Sequence, residues 1–106
     1  MSLDVTIKRI DRELLNSMTL PQAVGHSNDV IIDITSYRFN ELKPHLNLSE
    51  KEYSEGLCYR ILTEQIVDKM PDVFIVVPVG ESPYDYKTYL KKRMAMGEMF
   101  SLCLWW

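Results

Sequence analysis

The sequence predicts one small domain of the α/β or α+β class, with helices packed on a mixed sheet of about four strands. Its 106 residues suit a single domain spanning 1–106, and a chain of this length buries enough surface for a real core. The composition, 46% hydrophobic and 25% charged, is that of globular proteins. Segments with the alternation of strands are interspersed with helix-start signals, and this order predicts the mixed class.

The first third of the chain contains two segments that alternate apolar and polar residues. Residues 3–10, LDVTIKRI, predict a strand with one wet face, and residues 30–35, VIIDIT, predict a second strand that is more buried than the first. Between them we expect a short helical stretch over 11–18 and a turn over 23–29. We expect about one helical turn within 36–48.

The middle of the chain has a strong helix-start signal. Ser49 and Glu52 have the spacing of a capping box, and the apolar pattern that follows predicts a helix over 50–70, which Pro71 ends. The apolar residues of this helix cover a wide arc. We therefore expect it to contact the sheet on one side and either a neighbouring helix or a second protein on the other.

The last third of the sequence predicts a β-α-β unit. Residues 72–79, DVFIVVPV, are apolar on both faces, as in an interior strand, and Ser82 is a candidate N-cap for a helix over 83–96. Gly97 is suited to the position after that helix, and residues 99–106, MFSLCLWW, predict a final strand. Such a unit implies two parallel strands joined by a right-handed crossover.

Composition excludes several classes of function. The net charge of −3 is spread evenly along the chain, and without a basic patch the sequence does not favour nucleic-acid binding. No apolar run is long enough to span a membrane. Cys58 and Cys103 lie far apart in apolar stretches and are expected to be buried thiols of a reducing, cytoplasmic compartment. We expect no metal site and no cofactor.

No stretch of the sequence has the specificity of a catalytic motif. His26 and Asp29 are residue types found in catalytic triads, but they lie among residues typical of turns. The members of a catalytic triad must also be close in space, which nearness in sequence does not show. Cys58 is expected to be inert because burial raises the pKa of a thiol. We therefore expect a protein that is not an enzyme.

Four residues are predicted to form a partner-binding site. The carboxyl ends of the two expected parallel strands would bring Glu81 and Ser82 close to Trp105 and Trp106. Because side chains alternate along a strand, one tryptophan is expected to face the core and the other to remain partly exposed.

A structural ion pair is predicted between Asp33 and Arg93. Arg93 lies in the middle of the apolar face of the expected helix over 83–96, and a buried guanidinium needs a carboxylate. Asp33, on the second predicted strand, is the candidate partner.

These observations favour a small non-catalytic protein that binds another protein. In general character the chain resembles immunity proteins, antitoxins and phage-encoded inhibitors, which occlude a site on a partner. Two alternatives stay open. One is a homo-oligomeric structural or accessory protein such as a homodimer, and the other is a small enzyme with its site at the carboxyl edge of the parallel strands.

Overall fold

The computed structural model of the chain describes residues 3–73, 75 and 86–106. Within them four strands form one sheet: β1 (Asp4–Ile10), β2 (Val30–Thr35), β3 (Leu57–Ile61) and β4 (Met99–Trp105). The α-helices in the same residues are α1 (Leu20–His26), α2 (Glu50–Glu55), α3 (Glu64–Lys69) and α4 (Tyr86–Ala95). Two 3-10 helices cover Arg12–Asn16 and Tyr37–His45. The predicted class, helices on a sheet of four strands, is confirmed.

The sheet has the order β2-β1-β4-β3, and each neighbouring pair is antiparallel. The predicted last strand is confirmed as β4, which lies between β1 and β3. Because both sides of β4 have antiparallel neighbours, the predicted parallel pairing and the β-α-β unit are not confirmed. Most of the expected strand over 72–79 lies outside the described residues, as does the start of the helix expected over 83–96. Gly97 follows α4 as predicted and has a positive φ of +96°.

The single helix predicted over 50–70 is wrong. The Ser49 capping box does start a helix, but α2 ends at Gly56, whose φ of +68° is readily adopted by a residue without a Cβ atom. Residues 57–61 then form β3, an edge strand whose backbone pairs with that of β4. A new helix, α3, begins after Thr63, whose hydroxyl accepts a hydrogen bond from the backbone N–H of Ile66.

The region between β1 and β2 is more helical than predicted. The predicted turn over 23–29 begins only after α1, which Thr19 and Gln22 start with a reciprocal capping box. The bounds of β2 match the predicted strand, but the expectation that it is the more buried strand is wrong. Its one strand neighbour in the described residues is β1, so it lies at an edge of the sheet.

The main hydrophobic core lies on one face of the sheet, which we call the core face. It is covered by the second 3-10 helix, α3 and α4. The strand residues buried in this layer are Leu3, Val5, Ile7, Ile32, Cys58, Phe100, Leu102 and Leu104. On the opposite face α1 covers one half of the sheet and buries Ala23 and Val24 against it. The other half of that opposite face has no such cover from the described elements.

Arg93 forms an ion pair that differs from the predicted one. Its Nε lies 3.2 Å from Oε2 of Glu98, which also accepts a hydrogen bond of 2.6 Å at Oε1 from Arg9 Nη1. Arg9 forms a further ion pair with Asp29. Arg93 lies on α4, which covers the core face, whereas Asp33 projects from the opposite face of the sheet, so the structure does not bring these two together. The pairing partner is a loop carboxylate five residues along the chain.

Candidate binding surface

Of the four residues predicted to bind a partner, two can be placed. Glu81 and Ser82 lie outside the described residues. Trp105 and Trp106 project to opposite faces of the sheet, as the alternation of a strand requires. One is packed and the other is exposed, as expected from the sequence.

Trp106 is held on the core-face side by three contacts. Its backbone N–H donates to the carbonyl of Gly56 at 2.8 Å. Its ring lies between the edge of Tyr53, with centroids 6.3 Å apart, and the Lys43 ammonium, 4.0 Å from the ring centre. Burial in this cluster lowers the pKa of Lys43. Trp106 is therefore part of the packed structure.

Trp105 occupies the uncovered half of the opposite face, and its side chain is 62% exposed. The strand register forms two rows of four residues on this half of the face, and Trp105 belongs to the outer row. The outer row is Thr35, Asp4, Trp105 and Leu57, and the inner row is Asp33, Thr6, Cys103 and Tyr59. All eight are exposed or partly exposed, and together we call them the open sheet face.

The open sheet face ends where α1 begins to cover the sheet. In the next row Lys8 pairs with Ser101, which is buried. The Lys8 ammonium donates to the carbonyl oxygens of Val24 and Ser27, each at 3.2 Å, and is thereby tied to the end of α1. These bonds hold the ammonium at the border of the open sheet face, where it forms no ion pair with Asp4 or Asp33.

The charge of the open sheet face is negative. It contains Asp4 and Asp33 and has no basic member. Thr35 donates a hydrogen bond of 2.7 Å to Oδ1 of Asp4, which orients that carboxylate beside Trp105 on the adjacent strand. The other carboxylate oxygen, Oδ2, accepts no hydrogen bond from the described residues. An oriented carboxylate thus lies next to an exposed indole ring.

A groove of about 300 Å³ adjoins the open sheet face along β3. Leu57 and Tyr59 belong to both features, and Leu20 and Pro21 at the start of α1 form one wall. The opposite wall comes from α2, where Glu55 lies 3.9 Å from Lys51. The apolar residues among those that line the groove make it suited to an apolar side chain of a partner.

The thiols and the tyrosine of this region are not activated for chemistry. Burial raises the pKa of Cys103 and of Tyr59, and their mutual contact raises that of Tyr59 further. Burial on the core face raises the pKa of Cys58 to about 11. The two thiols lie on opposite faces of the sheet, and both favour the unreactive protonated form.

A cavity of about 400 Å³ lies between the second 3-10 helix and α3. Its most prominent charged group is the Arg60 guanidinium. Arg60 donates from Nε and Nη2 to the carbonyl of Leu46, from Nη1 and Nη2 to the Glu52 carboxylate, and from Nη1 to the carbonyl of Tyr59. These bonds occupy all five N–H groups of the side chain. Arg60 is a structural clamp and has no donor left for a ligand.

The other residues considered for chemistry in the sequence lie apart. His26 ends α1, where its Nδ1 lies 3.1 Å from the carbonyl oxygen of Gln22, whereas Asp29 pairs with Arg9. In the described ranges there is no group of three or more histidine, cysteine or acidic residues that would hold a metal ion. None of the helices in those ranges has both the length and the hydropathy needed to cross a membrane.

Comparisons with known proteins identify no relative of this chain. No protein-family model matches it, and neither the curated proteins nor the solved structures contain a match. Its function is therefore argued from its own residues.

Proposed function

We propose that the chain is a small non-catalytic protein that binds another cytoplasmic protein through the open sheet face, with Trp105 as its main aromatic contact. The observation that carries this proposal is the position of Trp105. A tryptophan that is 62% exposed lies in the outer row of the face, beside the apolar Leu57 and next to the groove along β3. Tryptophan is strongly enriched among the residues that dominate binding energy at protein interfaces.

The surroundings of Trp105 support a protein as the ligand. A rigid strand carries the tryptophan, so little side-chain and backbone freedom is lost when a partner covers it. Two rows across four strands span roughly 14 Å by 7 Å, which is smaller than the ~800 Å² that each partner buries in a standard interface. A partner of ordinary size would therefore also contact the groove and the start of α1, where Leu20 and Pro21 lie.

The proposed mode of action is occlusion. The face offers binding groups but no activated nucleophile, since the pKa of Cys103 is raised. A compact protein of this kind acts by covering a functional surface of its partner, as immunity proteins, antitoxins and phage-encoded inhibitors do. The alternative enzyme site depended on a parallel pair of strands, and every strand pair among the described residues is antiparallel.

The test is site-specific photo-crosslinking in the native host. A benzophenone amino acid is introduced at Trp105 and, in a separate control, at Met96, which is 65% exposed and follows α4. We expect a discrete crosslinked protein from position 105 that is absent from position 96. The recovered protein is then purified, and Trp105→Ala is expected to weaken its binding at least tenfold, as removal of a central aromatic residue does.

Equal crosslinking at both positions, or unchanged affinity of Trp105→Ala for the recovered protein, would contradict the proposal. Homo-oligomerisation through the same face is the second candidate, since an exposed apolar surface also suits a twofold interface. In that case the crosslinked product is a dimer of this chain. Light scattering at high concentration then shows a dimer that Trp105→Ala dissociates, whereas a strict monomer excludes this use.

A further inference from the structure

We infer that the partner presents a basic side chain, an arginine in the best fit, that stacks on Trp105 and pairs with Asp4. This inference rests on the proposed function and names the chemistry of the partner. The expected ligand is a protein segment in which an arginine lies beside an apolar residue. The apolar residue would enter the groove next to Leu57 and Tyr59.

Charge complementarity is the first argument. Both charged members of the open sheet face are acidic, and neither forms an ion pair with a described residue. Lys8, in the next row of β1, donates to the carbonyl oxygens of Val24 and Ser27 and forms no ion pair with either acid. A basic partner is attracted by this field, whereas an acidic protein or a nucleic-acid backbone is repelled.

Geometry is the second argument. Asp4 and Trp105 are directly opposite on neighbouring strands and share one face, which places their Cβ atoms about 5 Å apart. A guanidinium lying flat on the indole ring therefore has its edge within reach of the carboxylate. A planar guanidinium combines stacking with a directional ion pair, which a lysine ammonium does less well.

The orientation of the Asp4 carboxylate before a partner binds is the third argument. The Thr35 hydroxyl occupies Oδ1 and fixes the orientation of the carboxylate, while Oδ2 is left without a described donor. Because the acceptor is oriented before binding, a partner's N–H group needs little further ordering. The same row thus offers an aromatic platform, a fixed acceptor and, at Leu57, an apolar contact.

The inference is tested with three capped tripeptides that have leucine at both ends and arginine, citrulline or glutamate in the centre. Binding is followed by the NMR signal of the Trp105 indole N–H, which is assigned from its loss in Trp105→Phe. We expect a saturable shift with the arginine peptide and at least fivefold weaker binding of the citrulline peptide, which has the same shape without the charge. Raising the salt concentration from 50 to 500 mM is expected to reduce this preference.

Two variants assign the preference to the acid beside the ring. Asp4→Asn keeps an oxygen that can accept the Thr35 bond and is expected to abolish the preference for arginine over citrulline. Glu41→Gln removes one exposed charge from the 3-10 helix on the core face and is expected to leave the preference unchanged. Equal binding of the arginine and citrulline peptides, stronger binding of the glutamate peptide, or no binding at all would overturn the inference.

The two proposals fail in different experiments. If a protein crosslinks at position 105 and Trp105→Ala releases it, while Asp4→Asn binds that protein as tightly as the original chain does, the protein-binding function stands and the basic contact is wrong. If nothing crosslinks at position 105, the proposed function fails whatever the peptides show.

Discussion

Trp105 and Trp106 are adjacent in the chain and have identical side chains, yet they have opposite structural roles. Trp106 is fixed by a backbone hydrogen bond to Gly56, a ring contact with Tyr53 and the ammonium of Lys43. Trp105 points to the other face and is mostly in solvent. The difference follows from the pleat of a strand, which sends neighbouring side chains to opposite faces, and from the position of α1, which leaves the half of the opposite face around Trp105 uncovered.

The exposure of Trp105 can be interpreted only together with the role of its neighbour, Trp106. The strand needs one tryptophan to close the core at this end of the sheet, and Trp106 does so. Nothing in the packing of the described residues requires a second. The position of Trp105 beside Leu57 and the groove along β3 is therefore the basis of the proposed binding role.

The largest expected effect is the loss of stability on replacing Trp106. Trp106→Ala removes its packing against the core and is expected to lower the free energy of unfolding by about 2–3 kcal/mol. Trp105→Ala removes an exposed ring and is expected to lower it by less than about 1 kcal/mol. Urea unfolding of both variants measures the difference, and equal losses would contradict the structural assignment of the two rings.

The next effect concerns the glycine that contacts Trp106. Gly56 has φ +68°, and a methyl group placed on its Cα would overlap the carbonyl oxygen of Trp106. Gly56→Ala therefore combines backbone strain with a backbone collision, and we expect a loss of about 2 kcal/mol.

Gly97 provides the matched control for this variant. It also has a positive φ, +96°, but a Cβ atom there meets nothing within 4 Å. Gly97→Ala is expected to cost about 1 kcal/mol, which is the backbone term alone. If the two variants lose the same stability in urea, the close approach of Gly56 to Trp106 makes no energetic contribution.

The sequence predicted the class of the fold and the division of the two tryptophans because both follow from local patterns. Alternation of apolar and polar residues predicted β1 and β2, and the apolar segment after the expected helix over 83–96 predicted β4. The capping box at Ser49 predicted the start of α2. The alternation in MFSLCLWW also sufficed to place the two rings on opposite faces.

The missed features depend on contacts between distant residues. The helix predicted over 50–70 fails at Gly56, where a left-handed residue ends α2, and residues 57–61 alternate weakly enough that only pairing with β4 makes them a strand. Because β3 was not predicted, the sequence offered residues 72–79 as the neighbour of β4, and a strand–helix–strand order predicts a parallel pair.

The open sheet face was missed for the same reason. Asp4 and Leu57 are far from Trp105 in the chain and meet it only through the register of three strands. Arg93 was assigned to Asp33 because its position on the helix predicted burial, whereas the structure leaves it partly exposed beside Glu98. Pairing of strands and choice of ion-pair partner are set by the whole fold.

The smallest expected effect is a pH dependence at the clamp that holds α2, and with it Tyr53 beside Trp106, against β3. Arg60 donates to both carboxylate oxygens of Glu52, at 2.7 and 2.8 Å, and these bonds lower the pKa of Glu52 from 4.5 to about 2. A carboxylate whose pKa is lowered by folding stabilises the fold above its unfolded pKa and loses this effect as the pH falls toward the folded value. The contribution is expected to be about 1–2 kcal/mol, since the pair is partly screened by solvent.

The measurement is the difference in the free energy of unfolding between the original chain and Glu52→Gln. We expect the full difference above about pH 5 and a steady decrease between pH 4.5 and 2, because protonated Glu52 resembles the uncharged variant. Glu50→Gln, at an exposed position in the same first turn of α2, is the control, because it removes a carboxylate that makes no contact with Arg60. A difference for Glu52→Gln that is independent of pH would mean that the clamp acts through the size and shape of the side chain, because the charge of Glu52 changes over this range and its shape does not.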